Sequence, residues 1–254
     1  AATAGQSCSV MNGICGWRRR SDASSTVRST CCCAGSFFTV GGVLQQTIVG
    51  ESVSSSGDPT AEAVILWTAL SPRNANIDQI PVVLEYVLLD SPLTDMAQWE
   101  ARFAQGPIKR LGEFIAFRDR DYTVKVDLGN KALYGDTRFM HGNLPELSGN
   151  QTLLYRFVAG SQPSRIGQAK TLPSGQVESV KFATLSCSNY PAGLLTVYEM
   201  VRREPLDFVF HLVDYMYEGG GGGADLSRNG IARTPNPRKE MVSREEYVLR
   251  HQQY

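Results

Sequence analysis

The stretch "VESVKFATLSCSNYPAGLLTVYEMVRREPLDFVFHLVDYMYE", residues 177–218, contains three kinds of segment in succession. "VESVKFATLS" (177–186) reads as a buried strand. "AGLLTVYEMVRR" (192–203) reads as a helix with Leu194, Leu195, Tyr198 and Val201 near one face, and "LDFVFHL" (206–212) as a second buried strand. Strand, helix and strand at this spacing predict a βαβ unit, whose crossover makes the strands parallel and lays the helix on one face. In open α/β sheets, sites form beyond the carboxyl ends of such strands. Cys187 follows the first strand, and Asp214 and Tyr217 follow the second, so a thiolate, a carboxylate and a phenolate are expected to converge. These anionic donors suit a highly charged cation, and thiolate with phenolate favours a transition metal such as ferric iron over magnesium. Asp214 can also bridge to a second, harder ion through its other oxygen. The alternative is plain packing, with the cysteine a small buried hydrophobe and the tyrosines part of a core.

Upstream, from Val43 to about Thr171, the pattern is short strands: "AVILWTAL", "PVVLEYVLL", "DYTVKVDL" and "TLLYRFVAG". The third alternates, with Tyr122, Val124, Val126 and Leu128 on one face and Thr123, Lys125 and Asp127 on the other. Breakers such as "SGDPT", "SPRN", "LSGN" and "SQPS" separate the strands. Strands without long helical segments over about 130 residues argue for an antiparallel β-sandwich of immunoglobulin-like type. The expected organisation is a leader or disordered segment over 1–42, the β-sandwich over 43–175, and an α/β domain over 176–254.

Downstream, "SREEYVLRHQQY" (243–254) starts with a capping box in which Ser243 caps the helix and Glu246 reaches back to its amide. No glycine or proline follows before Tyr254, so the helix is expected to run to the chain end. A sheet of two parallel strands is also too small to be covered on both faces, and the α/β domain is expected to be incomplete.

The 254 residues, 42% hydrophobic, suffice for one large core or two ordinary ones. Lys+Arg and Asp+Glu each number 25, so there is no basic field to attract nucleic acid or an anionic membrane. Apolar runs such as "AVILW" (63–67) are far short of the roughly 18 to 20 residues of a membrane helix, and no transmembrane segment is expected. Five of the six cysteines, Cys8, Cys15, Cys31, Cys32 and Cys33, lie in the first 33 residues. Their spacing does not match the paired ligands of a zinc site, and no histidine occurs before His141. "WRRRS" (17–21) with the apolar stretch after it resembles a twin-arginine export leader, from which Asp22 and its polar neighbours depart.

Five segments together resemble the PhoD-like alkaline phosphatase and phosphodiesterase family: "SSGDPTAEAVILWT" (55–68), "DYTVKVDL" (121–128), "LLYRFVAG" (153–160), "KFATLSCSNYPAG" (181–193) and "HLVDYMYE" (211–218). They stand in the family's order and cover about residues 50–254. The resemblance implies an N-terminal β-sandwich followed by a calcineurin-like metallophosphatase domain, here its incomplete start. It also implies exported phosphomonoesterase or phosphodiesterase activity on phosphate esters, with iron (Fe3+) and calcium. Carried over by position, Cys187, Asp214 and Tyr217 match metal ligands, with Asp214 at the chemistry. The implied mechanism is attack on phosphorus by a metal-activated hydroxide or oxygen.

Two departures stand out. The family's "HLGDY" has glycine where this chain has Val213, and a β-branched residue resists positive φ. The resemblance implies that the remaining metal ligands, an Asn- and His-containing set, belong to a C-terminal half expected to lie outside these 254 residues. Of the histidines, His141 falls in the sandwich, His211 reads as a strand residue, and His251 as a solvated helix position. Gly219–Gly223 reads as a flexible linker in preference to an adjustable loop over the site, and lacks the Lys-Ser/Thr of a phosphate loop. "NQT" (150–152) is a common tripeptide that also fits an N-glycan acceptor. The residues therefore support a PhoD-like metallophosphatase present as its N-terminal half. The alternatives are an inactive β-sandwich binding or structural module with a phosphatase remnant, and an adhesion domain that leaves the βαβ unit unexplained.

Overall fold

The computed structural model describes residues 17–18, 30–31, 49–73, 76–129, 140–145, 147–220 and 233–254. A short antiparallel pair, β1 (Trp17–Arg18) and β2 (Thr30–Cys31), comes first. The described residues from Val49 to Lys181 belong to one compact unit and Phe182–Tyr254 to another.

The first of these units is mostly β-sheet. One sheet has the order β3 (Val49–Gly57), β4 (Ala63–Pro72), β7 (Thr123–Gly129), β8 (Met140–Asn143), antiparallel except for the β7–β8 pair. The other runs β10 (Gln162–Pro163), β9 (Thr152–Ala159), β5 (Gln79–Leu89), β6 (Lys109–Phe117), with β11 (Gly167–Lys170) also on β9. Period-two alternation aims Leu66 and Leu70 of β4, Val124, Val126 and Leu128 of β7, and Ile80, Val82 and Leu84 of β5 into one shared apolar core. Asp127 breaks the expected alternation, being buried rather than on an outer face.

The reading of this region as strands without long helices omits α1 (Met96–Gln105). Asp95 accepts a hydrogen bond from the Ala97 amide at its start, and Trp99 and Phe103, one turn apart, cover Val87, Leu89 and Leu154. Opposite Val83 and Leu84 of β5, β6 bulges at Gly112, which takes a left-handed φ of 51°, and the next β5 residue is a buried carboxylate, Glu85. The register sets Arg110 of β6 and Arg156 of β9 opposite it, one on each side. Arg110 meets Oε1 and Arg156 meets Oε2, each through two nitrogens at 2.7–2.8 Å. Arg156 also lies over the Phe103 ring at 4.6 Å, which links the ion pair to the helix.

The other unit holds a parallel pair, β12 (Phe182–Leu185) and β13 (Phe208–His211), in the register Phe182↔Phe208 to Leu185↔His211. The expected parallel crossover is present, but its elements are shorter than the sequence pattern suggests. The helix α2 covers only Val197–Val201, because a 3-10 turn occupies Tyr190–Ala192 and Leu195 takes a left-handed φ of 54°. Leu185, Leu195, Tyr198 and Val209 form its core. The strands read as buried on both faces, yet Phe182 and Phe210 are about half exposed and stack with Phe208 on the side away from that core. The last helix, α3 (Arg244–His251), has the expected Ser243–Glu246 capping box, with Lys239 paired to Glu246. It ends at His251, and Gln252–Tyr254 follow as a turn.

Replacing Glu85 with Ala is expected to lower the stability of the first unit by about 2–4 kcal/mol, because Arg156 keeps a half-buried charge with no counter-ion. Urea denaturation followed by tryptophan fluorescence reads this directly, since Trp67 and Trp99 both lie in that unit. Unchanged stability in Glu85→Ala sinks this account of the ion pair.

Candidate metal centre

Beyond the last ladder pair of β12 and β13, the two chains stay joined by main-chain bonds. The Leu212 amide donates to Leu185 O (3.0 Å), Cys187 to Val213 O (3.1 Å) and Ser188 to Asp214 O (2.9 Å). Within this extension Cys187 (φ 68°) and Asp214 (φ 55°) have left-handed backbone. A residue in this region departs from the pleat, so its side chain leaves the alternating order of the strand. The two residues that turn are the two whose side chains meet. Val213, expected to strain the loop if positive φ were required of it, is not among the left-handed residues; it is exposed and its carbonyl accepts the Cys187 amide.

Cys187 Sγ donates to Asp214 Oδ2 at 3.3 Å, and the Tyr217 hydroxyl donates to the same oxygen at 3.1 Å. All three predicted residues therefore converge on one atom. Asp214 is exposed, and Cys187 and Tyr217 are partly so, which leaves the cluster open to solvent. Partial burial raises the Tyr217 hydroxyl well above the ordinary tyrosine range, and its bonds to Cys187 and Asp214 reinforce the shift. Among the described residues no group of three or more His, Cys, Asp or Glu side chains is arranged to hold a metal; the third donor here is a phenol.

A second layer lies behind Cys187. Ser188 is fully buried and bonds the Tyr198 hydroxyl and, at 3.2 Å, His211 Nε2. His211 is thus a strand residue, as read, and its ring supports the cysteine loop. His141 lies in the other unit with Nδ1 at 3.2 Å from Asp127 O. His251, expected on a solvated face, is exposed but also packs on Tyr215, whose ring lies 5.6 Å away. The sequence marks Tyr215 and Glu218 only as members of the tyrosine and carboxylate cluster in "HLVDYMYE" and gives no role to Ser188 or Arg250; in the structure the Glu218 carbonyl takes the Met241 amide at 2.9 Å. Arg250, a charge directly before His251 on a capped helix, carried little signal, since arginines on such helices are ordinary. Of the glycine run, Gly220 has a definite role: a Cβ there would meet Arg238 O at 2.7 Å. Gly221–Gly223 lie outside the described residues.

Residues 182–254 match the profile described as PhoD-like phosphatase, and residues 45–173 match that of the PhoD-like phosphatase N-terminal domain. Alkaline phosphatase D of Bacillus subtilis (strain 168) is 32% identical over 204 residues, which are 79% of this chain and 30% of that protein. A solved structure described as "Structure of PhoD" is 30% identical with a TM-score of 0.60, and the match covers 79% of this chain and 34% of that one. The chain thus spans about a third of the length of these relatives.

A hydroxyl whose pKa is higher in the folded than in the unfolded chain contributes stability that is present below the ordinary tyrosine value and lost as pH rises through the folded one. Above about pH 10, wild-type stability is therefore expected to fall more steeply than that of Tyr217→Phe, in urea midpoints measured between pH 8 and 11. Parallel pH curves for the two proteins contradict the assignment.

Proposed function

Since the chain belongs to the PhoD-like phosphatase family, we propose that it is part of a metal-dependent phosphoric ester hydrolase whose first ligands are Cys187, Asp214 and Tyr217. The observation that carries this reading is the meeting of Cys187 Sγ and the Tyr217 hydroxyl on Asp214 Oδ2. The donor chemistry fits: each of the three becomes anionic on losing a proton, and thiolate with phenolate matches ferric iron, with calcium a hard second ion for the carboxylate. A cation held there supplies Lewis acidity toward the oxygens of a phosphate ester.

The chain's own contribution is positional. The left-handed corners at Cys187 and Asp214 turn the two donors toward each other, and the cross-strand amide bonds fix the spacing between them. Cys187 and Tyr217 each give up the proton now shared with Asp214, so uptake of a cation releases protons. Asp214, exposed and common to both contacts, is the residue assigned to the chemistry. The first unit then corresponds to an immunoglobulin-like β-sandwich and the second to the start of a calcineurin-like α/β metallophosphatase domain. Export, by a twin-arginine route or another, accords with the same reading, and phosphate esters are the substrate class.

A second reading, an inactive binding or structural module, draws on the openness of the three-donor cluster. Elemental analysis and hydrolysis of a chromogenic phosphate ester on the same purified samples separate the two. Near-stoichiometric iron in the wild type, reduced at least tenfold in Cys187→Ala and Asp214→Asn, is the expected result. Turnover lost alongside the iron supports the enzyme; iron without turnover supports the binding module. A folded wild type without bound metal overturns the ligand assignment.

A further inference from the structure

Arg250 is 2% exposed, one of the largest fully buried side chains, and its hydrogen bonds go to main-chain carbonyls rather than to a carboxylate. Nε donates to Asn236 O (3.1 Å), Nη2 to Pro237 O (2.6 Å), and Nη1 to both Tyr217 O (2.6 Å) and Gly219 O (3.1 Å). A buried cation is costly unless its donors are all used, and only the planar guanidinium fork offers enough of them in fixed directions to reach four diverging carbonyls. One of those carbonyls belongs to Tyr217 itself. The bond fixes the main chain one atom from the Cα that carries the phenol.

Other contacts act on the same segment. The Met241 amide donates to Glu218 O, and the backbone of Arg238 and Lys239 approaches Gly220 so closely that no Cβ fits. The far side of the clamp is held as well: Gln253 accepts from the Asn236 amide (2.7 Å) and donates to Thr234 O (3.1 Å). Tyr254 accepts the Tyr190 amide at 3.1 Å, three residues past Cys187. The end of α3 thus grips the chain after both ligand-bearing turns.

We infer that Arg250 is a positioning residue for the metal centre, holding Tyr217 in register with Asp214 and Cys187 through the carbonyls of residues 217 and 219. The inference rests on the ligand assignment proposed above for its chemical consequence, but its structural part stands on the hydrogen bonds alone. Arg250 touches no substrate. It acts by restricting where the phenol can be.

The test uses the full chain as wild type, Arg250→Lys, Arg250→Met, Tyr217→Phe and the Arg250→Lys/Tyr217→Phe double variant, with Fe3+ alone as the probe. Arg250→Lys keeps the charge with fewer donors, and Glu246→Ala, which loosens the cap of α3 without touching Arg250, serves as the structural control. Hydrogen exchange is expected to rise at least tenfold at Met241 and over residues 217–220 in both Arg250 variants, while the amides of Leu185 and Leu212 stay protected. Fe3+ affinity is expected to fall tenfold to a hundredfold in Arg250→Lys, and by less than about twofold when the same change is made on Tyr217→Phe, the non-additivity expected of residues acting through one another. Unchanged exchange over 217–220, or affinity losses that simply multiply in the double variant, overturns the inference. Equal loss of affinity in Glu246→Ala also overturns it, by reducing Arg250 to general helix stability. If the wild type takes up no Fe3+, the ligand assignment fails separately, and the exchange data alone decide the role of Arg250.

Discussion

The second unit depends on the main-chain bonds that continue between β12 and β13 after the strands themselves have ended. Left-handed backbone costs a non-glycine residue roughly 1–2 kcal/mol, and two such residues, Cys187 and Asp214, face each other across this seam. The Cys187 and Ser188 amides hold that geometry by donating to Val213 and Asp214. Without those bonds each chain would relax to the pleat, and the thiol and carboxylate would follow the strand alternation instead of meeting. The strain and the convergence of donors are the same feature, described once in backbone terms and once in side-chain terms.

That feature was half legible in the sequence. Two apolar runs separated by a helical pattern specify parallel strands, and parallel strands specify which ends adjoin, so Cys187 and Asp214 could be placed together without coordinates. The location of the backbone strain could not be read in this way. Concern over Val213 assumed that a missing glycine marks the residue needing positive φ, whereas Asp214 takes it, and aspartate tolerates the left-handed region better than most residues. Tyr217 lies three residues past Asp214, in a loop with no periodicity to locate it. Its position depends on contacts from residues more than thirty positions away, Arg250 above all.

The aromatic side of the small sheet shows the opposite error. Phe182, Phe208 and Phe210 make their strands read as buried runs, since residues on both faces are apolar. One face is covered by Leu195 and Tyr198, while the phenylalanines stack mainly on one another, at ring separations of 4.9–6.0 Å. Sequence pattern records what a strand is suited to be packed against; it does not record what is packed there. The capping box of α3 was legible for the converse reason, because Ser243 and Glu246 satisfy amides within a single turn and need no distant partner.

Two buried charges in the chain illustrate different solutions to one problem. Glu85 is neutralised by register: the ladders on either side of β5 set an arginine opposite each of its oxygens, so the ion pair checks the alignment of three strands at once. Arg250 has carbonyl dipoles in place of a counter-charge, drawn from two separate loops. Carbonyls have no side chain to vary, so such an arrangement constrains backbone position more tightly than an ion pair between long side chains, which can shift together. That difference suits their locations. A sheet needs its strands aligned, and a cluster of three donors on loops beyond the strands needs its main chain held still.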